Sequence, residues 1–185
     1  MAVSSFFCKF AVIMRRLLHI FVWLSRIHCC RGFGIQSPTD YQFVRYVINE
    51  HWPYYAYDTL GAEDGWLERK LGLLYFRLAN WRQPQLVVDE ADAAKYVVAG
   101  CQSAKVVGHA EPIELAIVPL TSRCIDLLAQ CDDRSVVVVT NISGNKLLWK
   151  QLLADKRVSV SYDLYYCGIL MFDSKRVKQH YKINF

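Results

Sequence analysis

The stretch SVVVVTNISGNKLLWKQLLADKRVSVSYDLYYCGILMFDSKRVKQHYKINF, residues 135–185, decides the fold. Val136, Val137, Val138 and Val139 follow one another, the pattern of a strand covered on both faces. Leu147, Leu148, Leu152 and Leu153 then recur at helical spacing around Trp149, Lys150 and Gln151. Val158, Val160, Tyr162 and Leu164 alternate with more polar neighbours, and Gly168 opens a second apolar run at residues 169–172. A parallel-type strand, a crossover helix and a closing antiparallel β-hairpin that reaches the C-terminus form the far edge of many α/β nucleotide-binding sheets. The segment predicts architecture and carries no reaction chemistry of its own.

Upstream, apolar runs at residues 86–89, 105–107 and 115–118 read as strands, with helices at 93–100 and 122–130 between them. Strands alternating with helices predict a parallel sheet with right-handed crossovers. Two helices precede the sheet. Tyr41, Val44, Arg45, Val47 and Ile48 mark the first, which Pro53 ends. Leu67, Leu71, Leu74, Leu78 and Trp81 mark the second, at residues 66–81, with Glu68, Arg69, Lys70 and Arg77 expected on its solvent side.

The chain has 185 residues, which makes one folded unit the default. It holds 22 basic and 17 acidic side chains, for a formal charge of +5. Much of the excess lies before residue 33, in Lys9, Arg15, Arg16, Arg26 and Arg31. Such a bias suits an anionic neighbour or simply a solvated face. The basic tail around Lys178, His180 and Lys182 reads as protection of an edge strand, not as a nucleic-acid contact. The seven cysteines include no C-x-x-C pair. Cys8, Cys101, Cys124, Cys131 and Cys167 read as small buried hydrophobes, Cys29 and Cys30 are adjacent and suit neither a zinc site nor a disulfide framework, and the set as a whole favours a reducing, cytoplasmic setting.

Residues 1–31 form a segment apart from the α/β domain expected over 32–185. Within it, residues 6–27 read as an amphipathic helix. His19, Ser25 and Arg26 lie on a polar arc with Lys9, Arg15 and Arg16; Leu17, Leu18, Ile20, Phe21 and Leu24 lie on a wide apolar face. Arg15 and Arg16 leave no uncharged stretch near the ~20 residues that cross a bilayer. The apolar face is expected to cover its own domain, a protein partner or a second copy. Its alternative place is a membrane surface, with the arginines toward lipid phosphates.

Gly34-Ile35-Gln36-Ser37-Pro38, the aromatic run Tyr54-Tyr55-Ala56-Tyr57-Asp58, Leu73-Leu74-Tyr75-Phe76-Arg77-Leu78 and the tail from Val136 resemble bacterial class I S-adenosylmethionine-dependent methyltransferases of the O-methyltransferase-like type. The resemblance covers most of residues 32–185. It implies a shortened Rossmann-like sheet with N-terminal helices. It also implies an acid and a glycine-rich turn after the first strand, where the cofactor approaches the backbone. Asp89 stands at the acidic position, while Ala91 and Lys95 stand where glycines are implied. Asp92 is expected to cap the following helix. Glu111 is the nearby carboxylate for the ribose position. The positional cofactor set is therefore Asp89, Ala91 and Glu111.

The remaining chemistry is sparse. Pro119, and Thr140 with Asn141, occupy strand ends where the resemblance implies catalytic or cation-binding aspartates. Neutral side chains do not balance a dication. Between residues 107 and 113 a helix and strand are missing from the implied pattern, and a parallel crossover ordinarily takes about ten residues. There is no G-x-S-x-G elbow, P-loop or H-E-x-x-H. The sequence thus assigns no catalytic residue and no metal ligand. It points to a methyltransferase-like pseudoenzyme acting as a scaffold or interaction subunit. The alternatives are an active enzyme holding S-adenosylmethionine through Asp89 and Glu111, and a peripheral membrane protein bound through its N-terminal helix.

Overall fold

The computed structural model of the protein describes Met14 and residues 17–185. The expected start of the N-terminal helix, with Cys8, Lys9, Arg15 and Arg16, lies outside the described residues. The strands are β1 Leu86–Asp89, β2 Lys105–Val107, β3 Ile113–Pro119, β4 Cys131–Thr140, β5 Val160–Asp163, β6 Cys167–Met171 and β7 Gln179–Lys182. They form one seven-stranded mixed sheet in the order β2-β1-β3-β4-β6-β5-β7. The helices are α1 (residues 17–25), α2 Pro38–Phe43, α3 Trp66–Arg82, α4 Ala94–Gly100, α5 Arg123–Leu127 and α6 Lys146–Ala154. A π-helical turn, Val44–Ile48, extends α2.

The four strands β2, β1, β3 and β4 are parallel. β6 runs antiparallel to both β4 and β5. The molecule is therefore α/β, in an arrangement compatible with a Rossmann-like fold. The chain continues beyond the β5–β6 hairpin, and β7 returns beyond β5 to pair parallel with it. Val87, Leu115, Ile117, Val136 and Val138 point to one face, beneath α2, α3 and α4. Val88, Ala116, Val118, Val137 and Val139 point to the other, beneath α5 and α6. Period-2 alternation with helices on both faces explains why each strand reads as a continuous apolar run.

Three expectations change in the folded chain. First, the middle of α3 is covered nearly all round: Gly72, Leu74, Tyr75, Phe76, Arg77, Leu78 and Ala79 are all buried. A Cβ on Gly72 would lie 2.2 Å from the Tyr96 ring of α4. Arg77 is not on a solvent side; it is 7% exposed. Lys70 is half-buried.

Second, residues 108–112 alone carry β2 back to the start of β3. This short crossover suffices because β2 pairs over only Leu86↔Lys105 to Val88↔Val107. Third, α1 meets the domain through two residues of the polar arc, His19 and, just past the helix end, Arg26. His19 Nδ1 lies 2.5 Å from the Tyr166 hydroxyl. Arg26 donates to the Asp163 carboxylate at 2.6 Å, the Asp163 carbonyl at 2.9 Å and the Ile183 carbonyl at 3.1 Å. Leu17, Leu18, Ile20, Phe21 and Leu24 face outward, with Phe21 68% exposed. The described part of the apolar face does not cover its own domain.

Candidate functional site

In open α/β sheets, ligands bind beyond the carboxyl ends of the strands where the strand order reverses. Here that point lies between β1 and β3: from β1 the chain goes first to β2 on one side and then back to β3 on the other. β1 delivers Asp89 to it. Asp89 Oδ1 accepts the amide of Ala91 at 2.9 Å, and Oδ2 accepts that of Ala93 at 2.7 Å. Both oxygens are thus held by the loop that follows. Asp92 does not cap α4, which has no side-chain cap; Asp89 instead holds the amide of Ala93, the residue just before the helix. The Asp92 backbone instead takes the left-handed conformation at φ 52°, the role for which glycine is otherwise favoured and which a short polar residue tolerates.

Ala91 packs on the core beneath α3 and α4. Lys95 turns away and pairs with Asp64 at 2.6 Å, a carboxylate that also accepts from the Tyr96 hydroxyl. Hydrogen bonds from Lys95 and Tyr96 hold the Asp64 carboxyl below its usual range. On the other side of β1, Val88, Glu90, Gly108, Thr121 and Arg123 line a hollow of about 150 Å³. That is smaller than the ~300 Å³ at which small-molecule pockets begin.

Asp89 and Glu111 are not brought together. Asp89 pairs with Ile117 at the carboxyl end of β3. Glu111 is exposed just before Ile113, at the amino end of that strand. Four residues of strand, ~13 Å, separate those levels. At the end of β4, Asn141 is a left-handed turn residue at φ 57°, and its amide donates to the Tyr166 carbonyl at 2.7 Å. Among the described residues, no group of three or more His, Cys, Asp or Glu side chains is placed to hold a metal ion. The described cysteines are all free, and burial pushes the Cys131 and Cys167 thiols up to about 12.

The polar constellations that sequence reasoning missed lie on the opposite flank. Asp40 is 1% exposed. Its Oδ1 accepts from the Tyr162 hydroxyl at 2.5 Å and from Arg176, and its Oδ2 from the Tyr181 hydroxyl at 3.1 Å. Burial pushes this carboxyl up, but the hydrogen bonds from Tyr162 and Arg176 outweigh it and hold it below the usual range. Asp40 and Arg176 sit between a groove of about 760 Å³ beside α2 and α3 and a smaller one of about 330 Å³. The sequence signal at Asp40 is the S-x-x-D spacing from Ser37, which reads as a helix cap. Only the Asp40 amide serves that cap, at 3.4 Å from Ser37 Oγ, while its carboxylate reaches the C-terminal strands.

The second constellation centres on Arg77. Its Nε donates to the Val47 carbonyl at 2.6 Å and its Nη2 to the Ile48 carbonyl at 2.9 Å. These carbonyls end the π-helical turn, where a cation is favourable. The sequence offered no signal for this, since Arg77 follows an apolar run that reads equally well as a half-exposed helix. Among the described residues no helix is long and apolar enough to cross a membrane. Compared with protein-family models, curated proteins and solved structures, the chain matches none.

Proposed function

We propose that this chain is an interaction subunit built on a methyltransferase-like α/β sheet, without methyl-transfer activity, that docks through the outward face of α1. The observation that carries the reading is the orientation of α1. A helix that meets its own domain through His19 and Arg26 and turns Leu17, Leu18, Ile20, Phe21 and Leu24 to solvent leaves an apolar surface open, the mark of a binding face. The closed turn at Asp89 agrees with it, since both carboxylate oxygens serve the loop itself. The docked partner is a protein or a second copy of the chain.

Titration calorimetry with S-adenosylmethionine tests the catalytic half of the proposal. No binding heat is expected, and micromolar affinity would overturn it. Light scattering of the full chain against Phe21→Glu tests the docking half. The substitution is expected to dissolve an assembly formed by the parent chain, either with itself or with an added candidate partner.

One observation favours a second reading, a peripheral membrane protein. No Asp or Glu precedes Asp40, while Lys9, Arg15, Arg16, Arg26 and Arg31 all do, a bias that suits anionic lipid. Flotation with phosphatidylglycerol vesicles that Phe21→Glu abolishes would move the assignment from protein to membrane.

A further inference from the structure

A hollow bounded by the end of α1, residues 48–53 and α3 carries an unbalanced charge. Its volume is about 570 Å³, within the size range of small-molecule pockets. Lys70 and Arg77 line it from one face of α3, two turns apart, or ~10 Å along the axis. Arg77 is nearly buried, and its donors meet only neutral oxygens: the Val47 and Ile48 carbonyls and, at 3.3 Å, the Tyr57 hydroxyl. Among the described residues no carboxylate pairs with it.

Lys70 is less satisfied still. Its Nζ makes no hydrogen bond or ion pair among the described residues and lies over the rings of Trp66 at 4.9 Å and Phe185 at 4.7 Å. Burial, and then the Arg77 charge, hold its pKa below the usual lysine value. Asn49 Nδ2, on the same wall, is buried without an acceptor. Glu50 is the one acidic side chain among the lining residues and already accepts from the Tyr54 hydroxyl at 2.7 Å.

Two desolvated like charges and an orphaned donor around one hollow are costly unless an anion joins them. An anion there turns the repulsion into charge-assisted hydrogen bonds. The other walls include Trp23, Trp52, Tyr57 and Phe185, surfaces that suit a flat apolar body. We propose that this hollow binds an anionic group of the phosphate or carboxylate type, borne on a flat or apolar body, with Lys70 as its principal cation. The inference is independent of whether α1 docks on protein or lipid.

The test is tryptophan fluorescence of the full chain and of Lys70→Gln, whose fold is checked by circular dichroism. The probes are inorganic phosphate, benzoate, and phosphatidylcholine vesicles with and without phosphatidylglycerol. Saturable quenching of the parent chain is expected, weakened about tenfold or more in Lys70→Gln, the size of a lost charge-assisted hydrogen bond. Response to phosphate or benzoate identifies a soluble anion; response to phosphatidylglycerol vesicles alone identifies a lipid headgroup. The site is overturned if no probe quenches saturably, or if Lys70→Gln responds as the parent does.

Discussion

The crevice above β1 and β3 and the flank between α1, α2 and α3 handle charge in opposite ways. In the crevice, Asp89 is answered by amides two and four residues away. On the flank, Asp40 is answered by Tyr162, Arg176 and Tyr181, more than a hundred residues distant, while Lys70 and Arg77 keep no carboxylate partner among the described residues. A local motif closes on itself as the chain turns. A site assembled from distant segments holds the tertiary structure together and leaves charge over. The position where a nucleotide-binding fold places its ligand is thus the self-satisfied one, and unspent binding chemistry lies elsewhere.

The largest effect that tests this contrast is Asp40→Ala. It strands Arg176 and two tyrosine hydroxyls, and a loss of about 3 kcal/mol is expected in urea unfolding, the low end for breaking a buried ion pair because Arg176 keeps some contact with water. The same carboxyl fixes a pH dependence. Its folded pKa is depressed, so its contribution is present above the unfolded value near ~3.9 and fades as pH falls through the lower folded value. The stability gap between the parent and Asp40→Asn is therefore expected to be flat at neutral pH and to shrink only below about pH 4.

Asp89→Ala removes two amide acceptors from a partly exposed loop. A smaller loss of about 1 kcal/mol is expected, as for a helix cap. A larger loss than that of Asp40→Ala would break the contrast.

The smallest expected effect has the opposite sign. Lys70→Met replaces a desolvated, unpaired ammonium with an apolar chain of similar length and is expected to stabilise the unliganded protein by ~1 kcal/mol or less. The folded pKa of Lys70 is depressed, so the unfolded chain binds the extra proton between that value and ~10.4. The parent chain's stability rises relative to Lys70→Met as pH increases through this window. Chemical unfolding at neutral and alkaline pH reads the gap, and a gap that widens with pH would contradict the assignment.

Much of the sheet was legible because its code is local. The run Val136 to Val139 marks a strand covered on both faces, and the alternation of Val160, Tyr162 and Leu164 places them on one face, whereas Val158, which lies before β5, packs on the other. The turn at Asp89 was half legible: its acidity marked it, but which carboxylate holds the loop before α4 depends on where the loop bends, and the left-handed residue is Asp92. The resemblance implies that Glu111 stands with Asp89 at the cofactor. The five-residue return from β2 sends it to the other end of the sheet.

By itself, the sequence determined the α/β alternation, the amphipathic character of the N-terminal helix and the absence of familiar catalytic motifs, since each is a matter of spacing along one segment. Only the tertiary structure decided which face of α1 meets the domain. Periodicity defines two faces but not their direction, and Arg26 turns the polar one inward because Asp163 and the Ile183 carbonyl, brought from the C-terminal strands, supply its acceptors. Long-range partners likewise buried Arg77 and left Lys70 facing a hollow, because burial and charge balance are properties of what packs around a side chain rather than of its neighbours in sequence.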